Sequence, residues 1–307
     1  MEIPNLKTYD DGRKSIKELY SSFFNLQNDD WKLDIIGFSS GVYMNKNVSL
    51  PIIALRTKKT GKAIWILSGI HGEEPAGPNA ISDLEAISFI IQLGKKVPIV
   101  LLPLCNPIGY LRNWRYLNQE KWDPNSEGKS VGDSEHYLLD LKSSCLPRKE
   151  SPTSKESEML TKYVIENSEK YPPQMSFDFH EDDLISKGYI YSQGNLGLKD
   201  PIANRIVKIL LDSDVPIQTR GRTRFGERIL KGIVRSERDG SIDELISTEK
   251  IIVNNKIVNK NAAKTSIVIE TPAKAMTLDK RKQVHLKVLL SLNDFLKYHW
   301  FTSPFVT

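Results

Sequence analysis

Two residues able to do chemistry together, His71 and Glu74, stand three apart just after the apolar run Ala63-Ile64-Trp65-Ile66-Leu67. The segment holding them, Ser68-Gly69-Ile70-His71-Gly72-Glu73-Glu74-Pro75-Ala76-Gly77, is forced into a turn by its glycines and Pro75. An imidazole nitrogen and a carboxylate oxygen at the end of a buried strand can converge on one cation. Both donor types suit Zn²⁺, at about 2.0–2.2 Å. The competing reading is a polar surface turn, and what separates the two is whether the chain brings further groups to the same layer. Three more apolar runs do stop at reactive residues. Residues 98–104 lead into Asn106-Pro107-Ile108-Gly109, residues 175–179 end at His180-Glu181-Asp182, and residues 265–269 end at Glu270.

His180 is the natural third ligand. The other histidines, His136, His285 and His299, fall in helical or loop contexts. Two His and one Glu leave a position open for water, as in catalytic rather than structural zinc sites. Zinc brings the pKa of water down to about 7, and a carboxylate must then accept the proton and pass it to a leaving amine. Glu270 is placed for that role, since the end of an apolar strand raises a carboxyl toward the working range; a glutamate paired with one of the many lysines is the alternative. An attacked carbonyl also needs a cation for its developing charge, and Arg112 and Arg115 are the candidates.

The elements that must position these groups alternate between strand and helix patterns. Apolar side chains at Ile16, Leu19, Tyr20, Phe23, Phe24 and Leu26 predict an amphipathic helix within 13–27. Strands are predicted over 33–38 and 50–55. A helix follows from Ile81 to Leu93, with Gly94 as its stop. Residues 118–152 read as polar loop with a short helix around Glu135 to Leu141; helices return at 154–168, at 201–211 and from Thr277. The charged stretch 219–261 reads as a loop elaboration over one end of the sheet, with a hairpin around Asn254-Asn255. This alternation predicts one α/β domain over 1–307, with a mixed, mostly parallel central sheet flanked by helices and residues 1–30 as a helical N-terminal extension. In such sheets ligands gather beyond the carboxyl ends of the strands.

Composition narrows the function classes. With 307 residues and 39% hydrophobic content, one large core suffices. A net charge of +5, spread along the chain, speaks against nucleic acid as partner while leaving anionic substrates welcome. No stretch approaches the ~20 apolar residues of a membrane span, so no membrane partner is expected. The first residues lack the apolar core of a signal peptide, and Cys105 and Cys145 are poorly placed for a structural disulfide. The expectation is a cytoplasmic protein; oligomeric state is left open.

The ordered set H-x-x-E, then Asn106-Pro107-x-Gly109 followed by an arginine, then a strand ending in His180, then one ending in Glu270, resembles the zinc carboxypeptidase superfamily (carboxypeptidase A-like). Relatives of that type include murein-peptide amidases and enzymes of the succinylglutamate desuccinylase and aspartoacylase type. The likeness runs from about Leu33 to the C-terminal helix. It implies a sheet of about eight strands, one zinc ion held by His71, Glu74 and His180, Glu270 as general base and Arg115 as the oxyanion-polarising arginine. The chain departs from the pattern in two places. The family's carboxylate-gripping Asn-Arg pair falls on Asn125 and Ser126, so the arginine is missing, and no tyrosine lies between Tyr191 and Tyr298 to cover substrate. Another grip could come from the basic run containing Arg222 and Arg224, where a guanidinium fork suits a carboxylate; a solvated charged loop is the competing reading. The acidic Glu181-Asp182-Asp183 either orients His180, meets a substrate amine or forms a solvated turn. The resemblance implies a zinc-dependent metallopeptidase or amidohydrolase cutting beside a free carboxylate. An N-acyl-amino-acid deacylase and a non-catalytic zinc-binding protein are the alternatives, so the expected partner is a peptide or an N-acyl amino acid.

Overall fold

The four apolar runs that end in reactive residues are neighbouring parallel strands. In chain order the protein builds α1 (Ile16–Phe24), β1 (Trp31–Tyr43), β2 (Lys46–Thr57), β3 (Ala63–Ser68), α2 (Ala76–Ile81), α3 (Leu84–Lys96), β4 (Ile99–Leu102) and α4 (Pro107–Arg112). Next come β5 (Tyr137–Asp140), β6 (Leu146–Pro152), α5 (Lys155–Asn167), β7 (Pro173–Asp182), β8 (Tyr189–Ser192) and α6 (Pro201–Leu211). The rest is β9 (Arg220–Arg222), β10 (Arg228–Leu230), β11 (Ile233–Arg235), α7 (Ile242–Ser247), β12 (Lys250–Val253), β13 (Lys256–Asn259), β14 (Thr265–Pro272), α8 (Leu278–Leu290) and α9 (Leu292–Trp300). The computed structural model describes residues 2–115, 137–140, 146–152, 154–235 and 240–300, with backbone alone for 137–140, 146–152, 299 and 300.

The main sheet runs β1-β2-β4-β3-β7-β14-β8-β11-β10-β9. Its centre, β4-β3-β7-β14, is parallel, and so is β8 with β11. The remaining neighbours pair antiparallel. The sheet is therefore mixed and has ten strands, where the resemblance implied about eight. The basic stretch expected as loop contributes to the difference: residues 220–230 fold into the β9–β10 hairpin on the sheet's edge.

Alternation along the central strands explains why both faces are covered. Ile64 and Ile66 of β3 enter one core with the faces of α1, α3, α6 and α8. Ala63, Trp65 and Leu67 enter the other, against α5 and α7. On β7 the first core takes Met175, Phe177 and Phe179, so Ser176, Asp178 and His180 point to the opposite face.

Three local expectations are corrected. The predicted helix from Ile81 divides into α2 and α3, with Asp83 capping α3 by accepting from Glu85 N. Gly94 does not stop that helix: it sits inside α3, where a Cβ would come within 2.6 Å of the Trp31 ring, so glycine serves close packing. Tyr137–Asp140, expected as helix, is a strand paired with β6. The Asn254-Asn255 hairpin forms as expected, with φ of 49° and 59° at the two asparagines. It joins β6 in a separate sheet ordered β13-β12-β6-β5. No described helix is long and apolar enough to cross a membrane.

Candidate metal centre

Parallel strands end at the same edge of a sheet, and β4, β3, β7 and β14 deliver their following residues there in that spatial order. His71 and Glu74 lie in the turn between β3 and α2, 2% and 3% exposed. Glu74 lies between the two imidazoles. Its Oε1 is 2.8 Å from His71 Nδ1 and its Oε2 2.9 Å from His180 Nδ1. The rings stand edge to face, centroids 5.0 Å apart. The three ligand atoms lie within 4.8 Å of one another, all on buried residues.

This donor set fits a divalent cation. Two imidazole nitrogens and one carboxylate oxygen match a catalytic zinc site, and the Nδ1 atoms already face the same carboxylate. Electrostatics agree. Burial alone would raise the Glu74 carboxyl, but His71 and His180 beside it hold it well below the usual carboxylate range. Burial likewise opposes charge on His180, yet Asp178 and Glu74 push its imidazole well above the ordinary value. A proton kept on the His180 ring by neighbouring anions is one that metal binding releases.

Asp178, two residues before His180 and fully buried, places Oδ2 3.2 Å from His180 Nε2. A carboxylate on the far nitrogen of a ligand imidazole fixes the ring's tautomer and orientation. Asp243 of α7, also fully buried, completes a second close group with Asp178 and His180. Neither aspartate was singled out in the sequence, although the alternation M-S-F-D-F-H already places Asp178 on the same face as His180.

Glu270 is the direct register partner of His180 across the β7–β14 pair. Burial is the main cause that pushes its carboxyl up to about 8; Glu74 and Asp182 add to the effect, while His180 and Arg115 oppose it. Its Oε2 has no hydrogen-bond partner among the described residues. No lysine pairs with it there either.

Arg115 joins the group, its Nη1 2.9 Å from Glu74 Oε1 and 3.3 Å from Glu73 Oε1. Arg112 does not. Its guanidinium stacks 4.1 Å over Trp114 and donates to the Val42 carbonyl of β1. The left-handed Asn113 (φ 60°, ψ 42°) ends α4 between the two arginines, so the chain turns before it reaches Arg115.

Among the expected substrate-binding residues, Arg224 reaches the edge of the site, with Nε 3.3 Å from Asp182 Oδ2. Arg222 is exposed on the β9–β10 hairpin and donates to the Gly226 carbonyl. Asn125 lies outside the described residues. Of the acidic trio, Glu181 is bonded inside the protein: it pairs with Arg281 and accepts from Ala76 N at 2.6 Å, anchoring the start of α2.

The motif Asn106-Pro107-Ile108-Gly109 is explained by its backbone. Asn106 caps α4, its side chain accepting from Gly109 N at 2.8 Å. A Cβ on Gly72 would lie 1.9 Å from the Gly109 carbonyl carbon, so the ligand turn and α4 touch backbone to backbone.

No protein-family model matches the chain, and no curated protein matches it in sequence. Solved structures do match. A candidate metallopeptidase from Shewanella amazonensis superposes with a TM-score of 0.63 at 20% identity, covering 91% of each chain. A metallo-carboxypeptidase from Burkholderia cenocepacia gives 0.56 at 11% identity, over 94% of this chain and 70% of that one. The carboxypeptidase A of Helicoverpa armigera gives 0.55 at 14%, over 93% and 71%. The fold is carboxypeptidase-like. In this chain the segment before β1 packs behind the ligand turn, and the β9–β10 hairpin turn reaches the edge of the site.

Proposed function

We propose that the protein is a zinc-dependent hydrolase of carboxypeptidase type, cleaving a peptide or peptide-like amide bond near a free carboxylate. The observation that carries this reading is the pair of Nδ1 atoms on the two oxygens of Glu74, with Glu270 in register beside His180. A bound zinc ion would be held by His71, Glu74 and His180, and would supply a Lewis acid that activates water and polarises a carbonyl. Glu270 takes the proton of the attacking water and returns it to the leaving nitrogen. Burial, which pushes this carboxyl up to about 8 in the metal-free protein, makes its anion a stronger base than an ordinary carboxylate. Arg115, whose Nη1 lies against Glu73 and Glu74, supplies the positive charge that meets the oxygen of the attacked carbonyl. Arg224, at the edge through Asp182, is the group best placed to meet a substrate carboxylate.

The second reading, an N-acyl-amino-acid deacylase, is favoured by one observation. The hairpin turn bearing Arg224 pairs with Asp182, whose charge acts on Glu270, so an approach closed by that turn would favour small substrates. A panel of C-terminally free peptides, murein peptides and N-acyl amino acids, assayed with and without chelator, separates the two. Peptide hydrolysis that chelator abolishes and zinc restores is expected. Turnover of N-acyl amino acids alone selects the second reading, and hydrolysis that survives complete metal removal refutes both.

A further inference from the structure

Arg13 precedes the first helix and touches neither the candidate ligands nor Glu270 among the described contacts, yet its side chain is fully buried. All five guanidinium N–H groups find acceptors. Nε and one Nη2 hydrogen go to Asp11, at 2.8 and 2.6 Å. The second Nη2 hydrogen goes to the Asn113 side chain. Nη1 donates to the Gly72 carbonyl at 2.9 Å and to the Tyr110 carbonyl at 2.7 Å. Its carbon lies 4.8 Å from the Tyr110 ring centroid.

Those acceptors belong to two particular places. Gly72 lies between His71 and Glu74. Tyr110 and Asn113 belong to α4 and its left-handed cap, two residues before Arg115. The next residue continues the join: Lys14 N donates to Asn79 of α2 at 2.9 Å, and Tyr110 Oη donates to the Lys14 carbonyl at 2.8 Å. Asn79 in turn donates to Tyr110 Oη at 2.8 Å and to the Pro75 carbonyl at 2.7 Å.

We infer that Arg13 is a positioning residue that braces the ligand turn against α4, setting the spacing of His71 and Glu74 relative to Arg115. This rests on the metal reading of the preceding subsection, but the brace itself is testable without it. A buried, fully bonded guanidinium cannot be replaced by an ammonium, whose three donors leave its stem without the planar fork. Groups bonded directly to metal ligands typically change metal affinity by about 10–100-fold, and Arg13 acts on the backbone between two of the candidate ligands.

The test compares the wild-type full chain with Arg13→Ala and Arg13→Lys in two measurements. Hydrogen exchange on metal-free protein is expected to quicken in 69–76 and 106–115 and to stay unchanged in 201–211. Zinc affinity, by competition with a chromophoric chelator, is expected to fall about 10–100-fold in Arg13→Ala, to stay low in Arg13→Lys, and to recover in part for Arg13→Ala with millimolar guanidinium. Exchange unchanged in both segments, with zinc affinity within about twofold of wild type, overturns the proposal. If Arg13→Ala fails to fold, the same two unchanged readings in Arg13→Lys overturn it. Wild-type protein that binds no zinc defeats the metal reading instead, and the exchange measurement still decides the brace.

Discussion

Two regions bring charged side chains to the same edge of the sheet by opposite means. The turn after β3 buries its charges: His71 and Glu74 are 2% and 3% exposed, with partners within hydrogen-bond distance. Strands β9 and β10 leave Arg220, Arg222 and Arg228 in solvent, and Arg222 faces Arg228 directly across the strand pair. The difference follows from what each region is suited to do. A metal site needs donors that do not move, so desolvation is accepted and offset by dense pairing. On the proposed reading, a group that meets substrate has to stay accessible, and the exposed hairpin supplies that. The comparison teaches where to expect chemistry and where to expect selectivity.

The largest effect that would break this comparison is at Glu270. Glu270→Gln is expected to keep zinc and lower kcat by about 10²–10⁴-fold, read by metal analysis beside steady-state kinetics on the substrate identified by the panel. An unchanged kcat would place the proton acceptor elsewhere.

A pH test sharpens the cost side of the comparison. The Glu270 carboxyl, ordinarily near 4.5, is pushed up to about 8 chiefly by burial, so the folded protein holds a proton there that the unfolded chain has lost. Its contribution is fully present below about 4.5 and disappears as pH rises through about 8. In metal-free protein, Glu270→Gln should therefore gain on wild type between pH 5 and pH 9 by an amount on the order of a few kcal/mol, measured by urea unfolding in chelator. An equal pH dependence in both proteins would show that Glu270 ionises freely.

The smallest effects belong to the hairpin. Arg224→Ala is expected to raise KM about tenfold with kcat little changed, the loss of a charge-assisted contact of about 1.5 kcal/mol. Arg222→Ala should change either constant by less than about twofold, as is usual for exposed charges. Equal losses at both positions would erase the distinction between a residue held at the site's edge and one held in solvent.

What could be read in advance followed from the physics of runs and ends. The strands β3, β4, β7 and β14 are continuous apolar segments because both sheet faces are covered, and their last residues carried His180 and Glu270 in plain view. Helix α1 was legible from its periodicity. The order of strands across the sheet was not, because short buried runs of Val, Ile and Leu do not encode their neighbours. Residue chemistry alone left Arg112 and Arg115 equivalent, and only the resemblance pointed to Arg115, because what separates them is one left-handed asparagine and Trp114. Gly94 misled because a glycine needed for packing against Trp31 looks, in sequence, like a helix stop. Arg13 gave no local signal, since its acceptors are mostly backbone carbonyls far along the chain.

The contact between Gly72 and Gly109 has a practical corollary. With no room for even a methyl group between them, the two short motifs they belong to behave as a single part split over two loops. Grafting one of these loops from a distant relative would force a clash or open a gap at the other, so a chimera would have to exchange both loops together, along with the N-terminal residues packed behind them.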